Sequence, residues 1–527
     1  MRCLTFVFAF CFSGLFAFSQ PISPNFFGQN AWMPSWYYNG NLDNIWQKAK
    51  PANFEIIRIG GIEYEENFDN HINDYLRFID SIRVTCGAEP ILQILRTYTV
   101  QQVQDLYELV NVTRNNNVRY WCIGNEPDSH KPNTPGEIVN YFIRIAKALK
   151  DKDNSLIVIG PDYANYWVHP GDQYDSGKTT YSTFINAVGM EMNTAKTAYL
   201  LDVFCFHNYI GYTVDPLIDN QDLERVVDNT KITLNAINKK RIAGIANKAS
   251  WAIGEINIAN DGSARRTPWS FYAGQYFAMI YGVGMKKEAS FICPWSLTEG
   301  EWRKATDMSM FENKAKNFAP RSTFQHLKML TDNRKANYMK STSSSGFLKS
   351  VGMKDASGST LMIMNTDEKL AYKTTIKLDL ANISPTEFEV KADAGLAIEL
   401  VEAIPANATI TMVFDESGKL LKRITYTKAD ADSYREPSIT TGLFNQIEFS
   451  PDDNLIVYPT LTNGLLMIKQ SSDRMINSIH VYDISGKEYS VMRINKNQLD
   501  ISSLKNGFYL LKIETEKDIQ QMLRNVA

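Results

Sequence analysis

An alternation of apolar strand-like runs and helical stretches between about residues 24 and 320 constrains the fold more than any other feature. The strand-like runs are almost continuously apolar, which is typical of parallel strands that are buried on both faces. Apolar residues three and four positions apart predict helices between them, at residues 72–84, 103–112, 138–149 and 271–281. The eight strand-like runs cover residues 26–32, 55–61, 89–95, 119–126, 156–162, 203–209, 251–257 and 289–295.

Eight strands that alternate with helices over about 300 residues predict an α/β fold of the closed (β/α)8, or TIM, barrel type. An open doubly wound sheet is the alternative, but no Gly-rich phosphate turn follows the first strand. We therefore predict that residues 20–330 form a (β/α)8 barrel.

After about residue 335 the helical spacing disappears, and short strands follow one another between turn sequences such as Asp355-Ala356-Ser357-Gly358. This pattern predicts an antiparallel β-sandwich at residues 331–430. A polar stretch then predicts a linker at residues 431–453, followed by a small Ig-like all-β domain at residues 454–527. The predicted sandwich strands cover residues 347–353, 360–364, 372–378, 387–391, 409–414 and 420–426.

The N-terminus has the pattern of a signal peptide at residues 1–19, with Arg2, an apolar run at 5–18, and the small residues Ala17 and Ser19. The run is too short for a permanent membrane span, and no other segment is long and apolar enough. A net charge of −3 provides no field that favours nucleic acid. We expect an exported protein with no membrane span and no nucleic-acid partner.

Four cysteines remain after the predicted signal peptide, and their spacing does not match a metal site. Cys122, Cys205 and Cys293 lie in apolar strand-like runs, whereas Cys86 follows a predicted helix. Free cysteine packs as a small apolar side chain, which favours buried thiols over disulfides. We predict no metal and no cofactor.

Three sequence blocks near the C-terminus occur in a specific order. They are Val457-Tyr458-Pro459 with Thr462-Asn463-Gly464, then residues 481–487, then residues 499–509. This segment resembles the C-terminal sorting domain of the type IX secretion system. Such domains usually end in basic residues, whereas here only Arg524 precedes the last three residues. The resemblance implies recognition by the secretion machinery and a final location outside the cell or on its surface.

Two glutamates stand where predicted strands four and seven end. Glu126 lies in Trp-Cys-Ile-Gly-Asn-Glu-Pro-Asp at residues 121–128, and Glu255 lies in Trp-Ala-Ile-Gly-Glu-Ile-Asn at residues 251–257. In a barrel both side chains would reach the catalytic face at the carboxyl ends of the strands. Cleavage of a glycosidic bond with retention requires two carboxyl groups about 5–5.5 Å apart, one neutral and one ionised.

This arrangement resembles clan A of the retaining glycoside hydrolases, in which an Asn-Glu pair ends strand four and a glutamate ends strand seven. The resemblance implies that Glu126 is the acid/base, that Asn125 binds the sugar 2-hydroxyl, and that Glu255 is the nucleophile. An isolated glutamate is more often a loop residue or a helix cap. Two of them at matching strand ends favour the catalytic interpretation.

Further substrate-site candidates lie on other strands. His207 and Tyr209 share one strand face, and a Tyr209 hydroxyl that donates to Glu255 would keep this carboxylate ionised. Arg58 lies within an apolar strand, so we expect it to face an acid, with Glu255 as the natural partner. The resemblance to clan A implies that Trp295 forms the floor of the sugar site. Trp32, together with Trp36, is a candidate second stacking wall, and core packing is the alternative for these aromatic and histidine side chains.

The resemblance leaves the substrate open among agarase/porphyranase-like, glucuronidase-like and xylosidase-like enzymes. Secretion favours endo action on a plant or algal polysaccharide, with an exo-acting xylosidase or glucuronidase as the alternative. Arg96, Arg265 and Arg266 are candidates for binding an anionic sugar, although solvated loop charges are common. A non-catalytic glycan-binding protein is the alternative from another class. Six scattered histidines disfavour a metal-dependent hydrolase.

Overall fold

The chain forms two compact units, Met1–Phe444 and Asn445–Ala527. We describe it from a computed structural model. The described residues are 20–32, 42–129, 134–164, 166, 181–210, 217, 221–241, 248–258, 266–299, 307–312, 314–378, 389–392, 394, 398–441, 455–458, 461–462, 464–470, 476–483, 487–495, 498–505, 507–515 and 519–526. The predicted signal peptide at residues 1–19 lies outside them.

Eight parallel strands form one sheet in chain order. The sheet closes between its first and last strands, because the Ile292 backbone N–H donates to the Phe26 carbonyl at 3.1 Å and Leu297 N–H donates to the Asn30 carbonyl at 2.8 Å. The predicted closed barrel is therefore confirmed over the open sheet. The barrel strands are Gly28–Ala31, Ile56–Ile59, Glu89–Ile94, Tyr120–Ile123, Ile157–Tyr163, Val203–Ile210, Ser250–Ile258 and Ile292–Pro294.

Helices alternate with these strands. Two of them begin at capping boxes, in which Thr99 pairs with Gln102 and Thr134 with Glu137. Such boxes satisfy backbone N–H groups that the first helical turn leaves free. The helix predicted at residues 72–84 begins earlier, and its apolar face is buried as expected. The helices are Leu42–Ala49, Ile62–Ser81, Val100–Tyr107, Pro135–Lys152, Tyr181–Met192, Gln221–Asn238, Phe271–Lys287 and Ser322–Thr331.

The barrel interior is apolar toward the amino ends of its strands. The members of this buried layer come from alternate positions of the strands: Ile56, Ile91, Cys122, Ile159, Val203, Cys205, Ala252, Phe291 and Cys293. Because side chains alternate along a strand, Arg58, Gln93 and His207 lie two positions further on and also face the interior. The four cysteines among the described residues are free, and Cys122, Cys205 and Cys293 are buried, as predicted.

A β-sandwich packs against the barrel within the same unit. Its core lies between the two sheets, while the outer face of the larger sheet contacts barrel helix Phe271–Lys287, where Gln275 Nε2 donates to the Asn365 carbonyl at 3.1 Å. The larger sheet contains, in spatial order, Gln20–Pro21, Asn337–Met339, Leu348–Asp355, Gly358–Asn365, Ala408–Phe414, Leu420–Thr427 and Ser438–Thr441. The smaller sheet contains Ser341–Ser343, Glu389–Ala392, Tyr372–Lys377 and Glu399–Ile404.

The sandwich differs from the prediction in three respects. Its larger sheet includes Gln20–Pro21, which the prediction assigned to the barrel. Strands Tyr372–Lys377 and Glu389–Ala392 pair in parallel, so the sandwich is not purely antiparallel. Part of the predicted linker is also structured, because Thr427 caps the short helix Lys428–Asp432 and strand Ser438–Thr441 pairs with Leu420–Thr427. The polarity of residues 428–441 reflects their exposure at the edge of a sheet.

The second unit contains two sheets around its own apolar core. One sheet consists of Leu455–Tyr458, Leu465–Gln470, Gln498–Asp500 and Met492–Asn495. The other consists of Leu461–Thr462, Ile519–Val526, Gly507–Thr515, Ile476–Asp483 and Glu488–Tyr489. A search of the described part of the chain finds no helix with the length and apolarity needed to span a membrane.

Candidate active site

The two predicted catalytic glutamates meet at the carboxyl end of the barrel. One oxygen of Glu126, one oxygen of Glu255 and one ring nitrogen of His207 all lie within 4.8 Å of one another. The Glu255 side chain is 6% exposed, whereas that of Glu126 is 19% exposed. Both carboxyl groups therefore belong to one site, and Glu126 has the greater access to solvent.

Glu126 has an unusual backbone conformation. Its φ is +45°, and Gly124 two residues earlier has a φ of +79°. Left-handed conformations are uncommon for residues other than glycine, and they cluster at functional sites. The Glu126 N–H donates to the Asp162 carbonyl at 3.0 Å, which ties the turn after the fourth strand to the fifth strand.

A β-bulge at Gly254 turns Glu255 into the barrel. Along the sixth and seventh strands, Phe206 pairs with Ile253 but His207 pairs with Glu255. A Cβ atom at position 254 would lie 2.5 Å from Asp162 Oδ1 and 2.9 Å from the Cys205 sulfur, so only glycine fits there. Bulges of this kind commonly redirect side chains beside active sites.

The fifth strand has a similar irregularity at Asp162. Pro161 pairs with Cys205 and Tyr163 pairs with Phe206, so Asp162 is left between the two pairs. Its φ is +64° and its side chain is fully buried. This conformation places the Asp162 carboxylate between Arg58 and His207.

Arg58 connects both halves of the site. Its Nη1 donates to Glu255 Oε1 at 2.9 Å and to Asn30 Oδ1 at 2.9 Å, and its Nη2 donates to Asn125 Oδ1 at 2.7 Å and to Asp162 Oδ2 at 2.6 Å. The predicted ion pair between Arg58 and Glu255 is therefore present. A buried guanidinium of this kind is stabilised only by such close acidic partners.

His207 lies between the three carboxyl groups. Its Nδ1 is 2.9 Å from Glu126 Oε1 and 3.5 Å from Glu255 Oε2, and its Nε2 is 3.1 Å from Asp162 Oδ2. Burial lowers the pKa of His207, but the carboxylates of Glu255 and Asp162 outweigh this effect and raise the pKa to about 10. The surroundings of His207 therefore favour its protonated form.

Glu255 receives several donors. The Tyr209 hydroxyl donates to Glu255 Oε2 at 2.7 Å, as predicted from the shared strand face of His207 and Tyr209. Burial, together with the nearby charge of Glu126, raises the pKa of Glu255 above its ordinary value, while His207, Arg58 and the Tyr209 hydrogen bond lower it and limit the rise. Burial and the Glu255 charge raise the pKa of Tyr209, so its hydroxyl keeps its proton. These contacts stabilise a carboxylate at Glu255.

Trp32 and Trp295 form an aromatic pair beside the glutamates. Their ring centroids are 5.8 Å apart, and the ring planes are inclined by 45°. Gly61 allows this contact, because a Cβ atom there would lie 2.5 Å from Trp295 Cη2 and 2.9 Å from Trp32 Cδ1. Trp295 Nε1 donates to Glu299 Oε1 at 2.8 Å, which fixes the indole orientation. The candidate Trp36 lies outside the described residues.

Two of the three arginines considered for anion binding, Arg96 and Arg266, lie near acids. Arg96 Nε lies 3.1 Å from Glu65 Oε1, and burial raises the pKa of Glu65 to about 7 although Arg96 lowers it. The expectation of a rim position is wrong for Arg266, which is buried with its guanidinium over Tyr272 and 3.7 Å from Glu368 of the sandwich. It precedes helix Phe271–Lys287, which packs against the sandwich. Arg265 lies outside the described residues.

Sequence reasoning missed four polar contributors, namely Asn30, Gln93, Asp162 and Glu299. Asn30 and Asp162 hold Arg58, and Gln93 Oε1 accepts the Gly61 N–H at 2.7 Å. The first three interrupt runs of buried apolar residues, which is the signal that had identified Arg58. Glu299 follows the last strand and carries no such signal.

The cluster of Glu126, His207 and Glu255 has a spacing that could also hold a metal ion. The local charges oppose this use, because Arg58 lies 2.9 Å from Glu255 and the surroundings of His207 favour protonation. A metal ligand must be neutral imidazole, so a cation would compete with that proton. The donor set fits proton transfer better than metal binding.

Comparison with known families identifies the C-terminal region. Residues 456–524 match the family of the secretion system C-terminal sorting domain. This match confirms the type IX sorting signal and export to the cell surface or the extracellular space. No curated protein matches the chain.

Solved structures with the same fold are glycoside hydrolases. The α-L-arabinofuranosidase from Thermotoga maritima superposes with a TM-score of 0.55 at 13% identity, covering 75% of this chain and 96% of that one. A family 51 α-L-arabinofuranosidase from Bifidobacterium longum gives 0.53 at 12% identity, covering 75% and 95%. A bifunctional glucanase-xylanase from a metagenome library gives 0.50 at 14% identity, covering 75% and 96%. At these identities the likeness shows the fold alone, a (β/α)8 barrel with an additional β-rich region.

Proposed function

We propose that this protein is a secreted retaining glycoside hydrolase, with Glu126 as the acid/base and Glu255 as the nucleophile. The observation that carries the proposal is the approach of the two carboxyl groups to within 4.8 Å, measured between one oxygen of each, at the carboxyl ends of barrel strands four and seven. Retaining enzymes need carboxyl groups about 5–5.5 Å apart, because one of them must reach the anomeric carbon directly.

The surroundings of the two glutamates support different roles. Glu255 accepts from Arg58 and from Tyr209, and both donors favour its ionised form, which a nucleophile requires. Glu126 is more exposed and contacts the His207 ring, so it is suited to exchange a proton with a leaving group and with water. Two carboxyl groups with different surroundings can thus act as nucleophile and acid at one pH.

The reaction consists of two displacements. In the first, a Glu255 oxygen bonds to the anomeric carbon, and the leaving-group oxygen takes the proton of Glu126. In the second, Glu126 removes a proton from water while the water oxygen replaces Glu255 on the same carbon. Asn125 accepts from Arg58 through Oδ1, which orients its amide so that Nδ2 can donate to the sugar 2-hydroxyl. Trp295, which is 8% exposed, is the proposed aromatic face for a sugar ring, while Trp32 is 3% exposed and packs against it.

Export through the sorting domain supports a substrate that lies outside the cell. We propose β-glycosidic bonds of a plant or algal polysaccharide, with agarase- or porphyranase-like endo action favoured over exo action. A panel of agarose, porphyran, carrageenan, xylan and glucuronan, together with aryl α-L-arabinofuranosides, would test the substrate. Release of long oligosaccharides would support endo action, and release of single sugars would contradict it.

Azide rescue tests the two roles separately. In Glu126→Ala, azide should restore turnover of an aryl glycoside and yield a glycosyl azide with the configuration of the substrate. In Glu255→Ala, azide should yield the opposite configuration, because it attacks the anomeric carbon directly. Without azide, each variant should lose about 10⁴-fold or more in kcat.

Glu89→Ala is the matched control, because Glu89 is a partly exposed glutamate at the opposite end of the third strand. It should keep its activity to within about twofold, as expected of a surface change. Wild-type protein that binds the polysaccharides without cleaving any of them would contradict the proposal and support a glycan-binding module.

A further inference from the structure

The buried carboxylate of Asp162 contacts the parts of the site that the two glutamates share. Its Oδ2 is 2.6 Å from Arg58 Nη2 and 3.1 Å from His207 Nε2, and its backbone carbonyl accepts from Glu126 N–H at 3.0 Å. Arg58 and His207 in turn both contact Glu255. The Asp162 carboxylate therefore contacts Arg58 and His207, the two cationic groups next to the proposed catalytic glutamates.

The chain adopts three unfavourable features to keep Asp162 in this position. The residue has a left-handed backbone, lies in a strand irregularity and is fully buried. Gly254 must lack a side chain, because its Cβ would lie 2.5 Å from Asp162 Oδ1. Burial raises the pKa of Asp162, but Arg58 and His207 outweigh it and hold the pKa well below its usual range. Asp162 is therefore a permanent negative charge.

This charge decides where hydrogens lie on His207. An ionised carboxylate only accepts hydrogen bonds, so the 3.1 Å approach of His207 Nε2 to Asp162 Oδ2 favours a hydrogen on Nε2. His207 Nδ1 and Glu126 Oε1, which are 2.9 Å apart, then need one hydrogen between them. Either Nδ1 or Oε1 carries it, and the total charge of the cluster is the same in both cases.

We propose that Asp162 is a positioning residue that makes His207 and Glu126 share one proton, and that this proton protonates the leaving group. The proposal rests on the hydrolase function proposed above. Per turnover, the leaving-group oxygen takes this proton in the first step, and the proton that Glu126 removes from water in the second step restores it. Both proton and charge are balanced over the cycle.

The ionisable groups that face His207, or adjoin the groups that do, determine how tightly this proton is held. They are the carboxyl groups of Glu126, Glu255 and Asp162, the Arg58 guanidinium, the Tyr209 hydroxyl and the Cys205 thiol. Of these, Asp162 alone combines contact with Nε2 and a tie to the Glu126 backbone. Its removal should therefore affect the shared proton without removing either proposed catalytic carboxyl group.

The substitution Asp162→Asn keeps the shape and removes the charge. If the new amide N–H faces Nε2, His207 must move its hydrogen to Nδ1 and Glu126 must stay ionised, so the acid is lost. We expect kcat at pH 8 to fall about tenfold or more with KM changed less than about threefold. We also expect the alkaline limb of the pH profile of kcat/KM to move to lower pH by about one unit or more.

Asp202→Asn is the matched control. Asp202 is a buried aspartate that also contacts two cations, Lys150 at 2.7 Å and Arg241 at 3.2 Å, but it precedes the sixth strand at the opposite end of the barrel. This variant should lower stability and leave the alkaline limb in place. A purely structural role of Asp162 would give the same result in both variants and would overturn the proposal.

Nitrogen NMR of histidine-labelled wild-type protein tests the proposal without substrate, and the six histidines of the chain keep the spectrum simple. The His207 signal is assigned from its absence in His207→Gln. We expect Nε2 to keep its hydrogen through pH 8, and the ring to titrate at lower pH in Asp162→Asn. A wild-type ring that titrates near its ordinary value of about 6.5 would overturn the proposal, even if Asp162→Asn failed to fold. If His207 titrates as expected but the protein hydrolyses no glycoside, the result would contradict the proposed hydrolase function and would not contradict the shared proton.

Discussion

The two ends of the barrel bury acidic side chains in opposite ways. At the amino end, Asp202 is 2.7 Å from Lys150 Nζ and 3.2 Å from Arg241 Nη2, and it also accepts from the Val158 N–H at 2.9 Å. One acid there meets two cations. At the carboxyl end, among the described residues, the carboxyl groups of Glu126, Asp162 and Glu255 surround one arginine and one histidine.

The difference shows what each end can do. At the amino end two cations contact one carboxylate, an arrangement that stabilises the fold. Three carboxyl groups around one arginine and one histidine carry an excess of negative charge, which favours the binding of a proton. A proton bound there can be transferred to a substrate. An apolar layer lies between the two ends.

The largest expected effect concerns stability at the amino end. Asp202→Asn leaves two buried cations without their acid and should lower the free energy of unfolding by about 3–5 kcal/mol. Urea unfolding followed by tryptophan fluorescence measures the first unit alone, because all nine tryptophans precede residue 303. Asp151→Asn, which breaks an exposed pair with Lys147, should leave the free energy of unfolding nearly unchanged. Equal losses in the two variants would contradict the comparison.

The second effect concerns activity at the carboxyl end. In Gly254→Ala the new Cβ must displace Asp162 or the Cys205 thiol, so we expect kcat/KM to fall about 10²-fold, which corresponds to about 2.7 kcal/mol. Gly136→Ala is the control, because nothing lies within 4 Å of its Cβ position in helix Pro135–Lys152. Kinetics with an aryl glycoside that the wild type cleaves measure both variants. Unchanged kcat/KM in Gly254→Ala would show that the position of Asp162 is not critical.

The sequence predicted the frame of the site well, for a physical reason. Buried parallel strands are apolar on both faces, so the polar exception Arg58 stood out, and it contacts Glu255 as expected. Glu126 and Glu255 were found from their positions at strand ends. Strand alternation also placed Tyr209 on the correct face for its hydrogen bond to Glu255.

What the sequence did not predict depends on irregular backbone. Asp162 enters the site through a left-handed conformation, and Glu255 faces His207 because of a bulge at Gly254. Both features break strand alternation, which is the rule that the prediction used. Arg266 was placed at the rim, whereas it packs over Tyr272 because the helix that follows it is covered by the sandwich. Contacts between distant segments of this kind leave no local pattern.

A second histidine environment tests whether nearby carboxylates cause the behaviour of His207. His326 lies between the barrel and the sandwich, 2.8 Å from the Thr409 hydroxyl, and burial lowers its pKa to about 4 although a hydrogen bond to Ser322 raises it. A base with a lowered folded pKa gives stability that is complete above about pH 6.5 and is lost as the pH falls toward 4. His207, with its raised pKa, gives stability that is lost as the pH rises from about 6.5 toward 10.

We therefore expect wild-type protein to lose about 2 kcal/mol more unfolding free energy than His326→Gln between pH 7 and pH 5. The glutamine can keep a hydrogen bond to Thr409 but cannot be protonated, so other titrating groups cancel in the difference. Urea unfolding at both pH values measures it. A difference that grows above pH 7 instead would mean that His326 has an acidic partner, as His207 does.

The smallest effect concerns Glu299, an acid at the carboxyl end that serves an aromatic side chain. Its Oε1 accepts from Trp295 Nε1 and its Oε2 accepts from Met308 N–H, both at 2.8 Å. In Glu299→Gln only one of these donors keeps an acceptor, and a lost buried hydrogen bond costs about 1 kcal/mol. If Trp295 forms part of the sugar site, this cost should raise KM about fivefold and leave kcat nearly constant, since the shared proton is untouched. A fall in kcat with a constant KM would instead make Glu299 part of the charge network around Asp162.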